Sequence, residues 1–221
     1  MGKRAADTRA CYDERQMNME PKIIIEQKLT PFVNRYMVFG AQDNGTKGEL
    51  LAFAQQKRVT IREKITFFTD ESQQSVAFTL RAEKALDIHG RYFVEDAARK
   101  RLGVLRKQFK KSLLVSTWQV MDAEEKVLFT VAESSKALAI IRRVVSFIPF
   151  VGDLIELVMI LLMKYHFDFI DPQTAMKVGK YRKTARFRDI YQLEMAPRAY
   201  SQQDWQVFAA MGVALDALQS R

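Results

Sequence analysis

Ser201 to Leu218 reads SQQDWQVFAAMGVALDAL, and from Val207 to Leu215 it carries no polar side chain at all. Ser201 followed three residues later by Asp204 makes a capping-box-like start, and Ala, Met, Leu and Gln favour a helix behind it. A helix apolar on every face suits no water-exposed position and needs a shell of protein or lipid. At about 24 Å for roughly 16 residues it is short for a bilayer span. The fold turns on what encloses this segment, 202–219.

The chain around it has 221 residues and 25.6 kDa, enough for one large core, in the size range where single-domain barrels and sandwiches fall. A hydrophobic content of 48% with only 9 glycines and 5 prolines excludes a disordered or low-complexity chain. The formal charge of +9 calls for an anionic partner, nucleic acid or an acidic membrane surface, and charge alone does not choose between them. Cys11 is the only cysteine, so no disulfide framework or thiolate metal site is expected, which fits a reducing compartment. The opening MGKRAADTRACYDERQ lacks the apolar core of a secretory signal, and Ala6 breaks the myristoylation pattern after Gly2. The expectation is a cytoplasmic protein, free or peripheral to a membrane. Residues 1–21 read as a mobile polar arm and 22–221 as a single domain, with ordered structure beginning near Ile23.

From Ile23 to Ala132, short aromatic and β-branched runs alternate with charged or Asn/Gly clusters, the signature of strands. The runs are Arg35–Phe39, Gly48–Ala54, Lys64–Phe68, Val76–Arg81, Arg91–Glu95, Leu102–Lys107, Thr117–Met121 and Val127–Val131. Asp43-Asn44-Gly45 supplies a hairpin turn between the first two. A repeat runs through the pattern. Tyr92-Phe93-Val94-Glu95-Asp96, Leu102-Gly103-Val104-Leu105-Arg106-Lys107 and Trp118-Gln119-Val120 return after residue 160. They reappear as Phe167-Asp168-Phe169-Ile170-Asp171, Val178-Gly179-Lys180-Tyr181-Arg182-Lys183 and Tyr191-Gln192-Leu193. A fainter copy, Tyr36-Met37-Val38 with Gly48-Glu49-Leu50-Leu51, opens the series, so three β-units precede one helix.

These repeated units and the closing DWQVFAAMGVALDAL resemble the LURP-one-related family and, more distantly, the tubby C-terminal domain and the phospholipid scramblases. The resemblance covers residues 30 to 219 and implies a closed antiparallel barrel of about twelve strands threaded by the hydrophobic C-terminal helix, a mainly β fold with no exposed sheet edge. It also implies phosphoinositide binding through basic side chains on the barrel, without assigning them to positions. Scramblases are associated with a calcium segment beside a C-terminal membrane helix, and nothing here matches that segment. Calcium-activated scrambling is not carried over.

Ser134 to Tyr165, within the insertion 134–165, departs from the repeat: SSKALAIIRRVVSFIPFVGDLIELVMILLMKY. Helix starts at Ser134 or Ser135 and at Asp153 with Glu156, separated by Pro149–Gly152, predict a helical hairpin. Across Val144–Met163, thirteen Leu, Ile, Phe or Val residues set against Asp153 and Glu156 bring membrane insertion to about zero net free energy. A single span would also put the third β-unit and the core helix across the bilayer from the other two. Two readings stand: a hairpin packed on the barrel, and one that dips into a membrane interface through Ile148, Phe150, Leu154, Leu157 and Leu161.

Catalytic constellations are scarce, since His89 and His166 are the only histidines. His166 shares a strand face with Asp168, but no nucleophile can be assigned to the pair. No Gly-rich phosphate loop, His-Glu zinc helix or calcium loop is present, so neither catalysis, metal nor cofactor is expected.

Two basic clusters remain. One runs through Arg99, Lys100, Arg101, Arg106, Lys107, Lys110 and Lys111, the other through Lys177, Lys180, Arg182, Lys183, Arg186 and Arg188. They occupy corresponding hairpins of two repeats, and a barrel that brought them to one side would hold clustered phosphates. Solvated cations on exposed strands would look the same. The expected function is a non-enzymatic barrel that binds anionic membrane lipid through these hairpins, aided by the apolar insertion. The alternatives are a soluble scaffold for a lipid or protein partner at the inserted hairpin, and nucleic-acid binding. The last is disfavoured because the hairpins lack interleaved aromatic residues for stacking bases.

Overall fold

The computed structural model describes residues 18–29, 33–57, 64–83, 90–108, 117–134, 166–185 and 189–218. Alternation of apolar and polar side chains puts twelve strands into it. They are β1 (Glu20–Leu29), β2 (Val33–Ala41), β3 (Lys47–Lys57), β4 (Lys64–Phe68), β5 (Val76–Ala82) and β6 (Arg91–Asp96), followed by β7 (Arg101–Gln108), β8 (Thr117–Met121), β9 (Val127–Glu133), β10 (His166–Ile170), β11 (Lys177–Lys183) and β12 (Asp189–Met195). A single helical turn, α1 (Pro197–Tyr200), leads into α2 (Trp205–Ala217). Each strand pairs antiparallel with its sequence neighbours, and β1 also pairs with β12, closing the barrel. The expected mainly β barrel around a C-terminal helix is what forms.

Inside, α2 buries Val207 through Leu215 on all sides. Phe208 packs on Phe129, Phe169 and Tyr200, while Trp205 meets Phe78 edge-on. Each fully buried large apolar side chain contributes about 1.5–3 kcal/mol, so the helix and the inward faces of the strands stabilise each other. Gly212 is where the wall comes closest: a Cβ there would lie 2.5 Å from Ile25 Cδ1 and 3.1 Å from a Tyr181 ring carbon. The repeated glycines Gly103 and Gly179 do the same for the wall, since a Cβ on either would stand 2.8 Å from a neighbouring-strand atom.

Three details differ from expectation. The helix spans 205–217 rather than 202–219, and Asp204 is its N-cap without a side-chain cap bond. Ser201 instead turns its hydroxyl to Arg198 O, so the capping box does not form; the Gln203 amide anchors the entry by donating to Met121 O. Strand β1 starts at Glu20, ahead of the ordered start expected near Ile23. Strand β1 is additional to the runs named above, because its polar residues Glu26, Gln27 and Lys28 dilute the strand signature around Ile23–Ile25. It completes the third unit: β2–β5, β6–β9 and β10–β12 with β1 make three sets of four around the ring.

Strand alternation sorts the connections to two ends. The turns at 42–46, 69–75, 97–100, 122–126 and 171–176 share one end with the start of α2. The C-terminal ends of β1, β3, β5, β7, β9 and β11 lie at the other, here called the rim, where Lys107 Nζ donates to Leu218 O beyond the helix. The chain leaves β9 and re-enters β10 at this rim, with Ser134 N donating to His166 O at 2.8 Å. Residues 135–165 of the expected helical insertion 134–165 lie outside the described residues, as do residues 1–17 of the expected arm 1–21 and His89.

Candidate functional site

Strand phase decides where each expected cation points. On β7 and β11 the repeat aligns Lys107 with Lys183, and both face inward because they pair with the buried Trp118 and Tyr191. Lys107 sits 5.7 Å from the Trp118 ring centroid while capping the helix carbonyl, and Lys183 pairs with Asp189. Cations at a helix C-terminus complement its partial negative charge, so Lys107 serves the core helix while Lys183 is committed to Asp189. Lys180 and Arg182 face outward, yet both close on Glu194 at 2.7 Å, a carboxylate only 8% exposed. Lys177 pairs with Asp168. The four described cations of the second cluster are thus held by acids of β10, β12 or the strand's own hairpin. Strands β7 and β11 also stand four places apart in a ring of twelve, so the two clusters lie on different sides of the barrel.

In the first cluster Arg101 binds Glu125 at 3.1 Å, and Arg106 is exposed with no acidic partner among the described residues. Lys110, Lys111, Arg186, Arg188, Ile148, Phe150, Leu154, Leu157 and Leu161 lie outside the described residues. Asp168 is committed to Lys177, and His166 faces Arg182 across the ladder, so they do not form a dyad with a nucleophile.

A different basic feature emerges at the rim. Lys28 lies directly across from Arg35, Lys64 from Arg81, and Arg91 from Arg106. Like charges directly opposite each other on a sheet are destabilising. All three pairs face outward on the β1–β7 half of the barrel at the rim end. Arg81 and Arg91 have acidic partners, Glu95 for the former and Glu83 with Glu125 for the latter. Lys28, Arg35, Lys64 and Arg106 have none among the described residues. The sequence signal for this arc was available in the outward phase at strand ends, but reading it required β1 and the ring order.

Just inside the rim, Asp216 of α2 accepts hydrogen bonds from Tyr36 (2.8 Å) and Tyr191 (3.0 Å). Tyr181 stacks on Tyr191 with its own hydroxyl buried and unpartnered among the described residues. Burial raises the Asp216 pKa, opposed by the two tyrosine bonds, and burial together with the Asp216 charge raises Tyr36 and Tyr181. Among the described residues, no group of three or more His, Cys, Asp or Glu side chains is placed to hold a metal ion. No described helix is long and apolar enough to cross a membrane.

A closed antiparallel barrel wrapped on a hydrophobic helix, with charge on its outer wall, defines a tubby-like barrel. The family model described as LURP-one-related matches residues 50–216, and the chain belongs to that family. Comparison with the curated proteins gives no match.

Proposed function

We propose that this barrel is a non-enzymatic module that docks on anionic membrane lipid through the arc of the rim between β1 and β7. The observation that supports it is the set of outward cations Lys28, Arg35, Lys64 and Arg106, which have no acidic partner among the described residues and are kept on one rim despite like-charged neighbours. A fold that tolerates such opposition gains nothing from it internally, whereas phosphate headgroups relieve the repulsion. Each cation near an acidic membrane surface contributes about 1 kcal/mol, so four give useful affinity without any insertion. The rim is also where the chain enters and leaves the apolar segment between β9 and β10, which would add contact with the same surface.

Vesicle flotation tests the reading. The wild type should float with phosphatidylserine or phosphoinositide vesicles and not with phosphatidylcholine alone. Lys28→Glu, Arg35→Glu and Arg106→Glu together should abolish flotation, while Lys180→Gln, which touches only the Glu194 pair, should retain it. Recovery that is equal on neutral and acidic vesicles, or unaltered by the triple reversal, overturns the proposal.

A further inference from the structure

We infer that the outer wall of β6–β9 carries a carboxylate cage for an acidic segment of a protein partner, occupied in the free protein by the chain's own Glu125. This goes beyond the membrane reading: it shares Arg81, Arg91 and Arg106 with the rim pairs but rests on Arg101, Glu125 and the Phe93 cluster. Phe93, Val104 and Met121 form a small apolar cluster on the outside of the barrel, separate from the main core, with Val127 packed against it. Around the Phe93 ring stand three guanidinium groups, Arg101 at 4.3 Å, Arg91 at 5.7 Å and Arg81 at 5.8 Å from its centroid. Guanidinium planes over an aromatic face are partly desolvated and held in place, a setting that favours planar carboxylates.

The cage already holds one. Glu125 extends from the β8–β9 turn and places its carboxylate 2.7 Å from Arg91 and 3.1 Å from Arg101. It does so from a backbone φ of 67°, the left-handed region that a glutamate adopts at a cost. Both arginines and Glu125 itself remain partly exposed, so this occupant is reachable by solvent and by a competitor. Arg81 is closed off by the two bonds it makes to Glu95, and Glu83 lies 3.6 Å from Arg91.

Next to Glu125 a cleft of about 570 Å³ opens between Glu83, Arg91, Arg106, Gln119, Met121, Glu125 and Val127. Together with the adjoining Arg81 and Arg101 the surface sets four arginines against Glu83, Glu95 and Glu125, and Arg106 has no acidic partner among the described residues. Its apolar side, Met121 and Val127, continues the cluster under Phe93. The occupant that matches both halves is a peptide presenting a glutamate or aspartate beside an apolar side chain. The carboxylate takes the place of Glu125 between Arg91 and Arg101, and the apolar neighbour covers Met121 and Val127. A phosphate alone would leave the apolar half uncovered.

Fluorescence anisotropy with a short fluorescein-labelled peptide of alternating glutamate and leucine tests this on the full chain. Removing the internal competitor with Glu125→Gln should tighten binding by about fivefold, since the competent state no longer has to be freed first. Arg101→Ala should abolish binding, Lys100→Ala on the adjacent turn should leave it unchanged, and the glutamine–leucine peptide should not bind. The lipid arm is separate, because Arg101→Ala should leave flotation on acidic vesicles intact. Equal affinity of wild type and Glu125→Gln overturns the cage, as does peptide binding that survives Arg101→Ala. Tightening of Glu125→Gln on phosphatidylserine vesicles rather than on the peptide also overturns it, in favour of a second lipid contact.

Discussion

The two ends of the barrel spend their polar groups differently. At the turn end, the side-chain oxygens of Asn44, Asp70, Asp96, Asp122 and Asp171 each accept a backbone N–H of their own turn. Each of those turns also contains one residue with positive φ: Gly45, Gln73, Arg99, Glu125 and Ala175. These bonds are local and serve hairpin geometry. At the rim the charges act over long sequence separations. Lys107 caps Leu218, Asp216 binds Tyr36, and cations oppose cations across strands. The turn end closes each hairpin on itself, whereas the rim carries a buried carboxylate and positive charge that has no acidic partner among the described residues. That difference favours the rim as the membrane-facing end.

The largest expected effect removes both ends together. Gly212→Arg or Ala210→Asp puts a charge into the helix that joins them, where Ile25 and Tyr181 leave no room at position 212. An uncompensated buried charge costs about 3–5 kcal/mol, a large share of the stability of a domain. Both variants should be insoluble or show no cooperative thermal transition; a native-like transition in either would contradict the threaded barrel.

Asp216→Asn probes the rim from inside. Burial raises the Asp216 pKa above its usual 3.8, so the protonated form suits the folded state. Stability from this group is complete below the unfolded pKa and is lost as pH rises through the raised native value. The asparagine variant should therefore melt a few degrees above wild type at pH 8, with the gap closing toward pH 4. A gap that widens on acidification would mean that the tyrosine bonds favour the charged form.

At the turn end, Ala175→Gly relieves a left-handed alanine and should stabilise by about 0.5–1 kcal/mol, read as a higher melting midpoint, without affecting vesicle binding. The smallest effect on stability belongs to Lys28→Glu. It converts the opposed Lys28 and Arg35 into a cross-strand ion pair worth about 0.2–1 kcal/mol, yet it should weaken flotation on acidic vesicles. Stability rising while binding falls marks a surface kept for a ligand.

Much of the architecture was legible from local pattern. The apolar run Val207–Leu215 announced an enclosed helix, and Asn44-Gly45 and the repeated Gly103 and Gly179 marked where the wall turns or tightens. Strand β1 was not, since its buried Ile23–Ile25 is flanked by polar residues and its partners β2 and β12 come from opposite ends of the chain. The basic clusters were legible as charge but not as surface. Nothing local to Lys180 or Arg182 signals that Glu194 waits on the next strand, or that Lys183 and Lys107 turn toward the helix end. Nothing in the strand pattern sets Phe93, Val104 and Met121 apart from inward-facing residues, and only the barrel shows that they lie on its outside.

The central claim is that the rim, not the turn end, meets the membrane. In a Cys11→Ser background, a polarity-sensitive fluorophore would be attached at Gln108→Cys on the rim or at Glu71→Cys on the β4–β5 turn. With phosphatidylserine vesicles carrying a lipid-borne quencher, the label at 108 should be quenched and the label at 71 unaffected. Quenching at 71, or at neither position while the protein remains bound, would contradict the account.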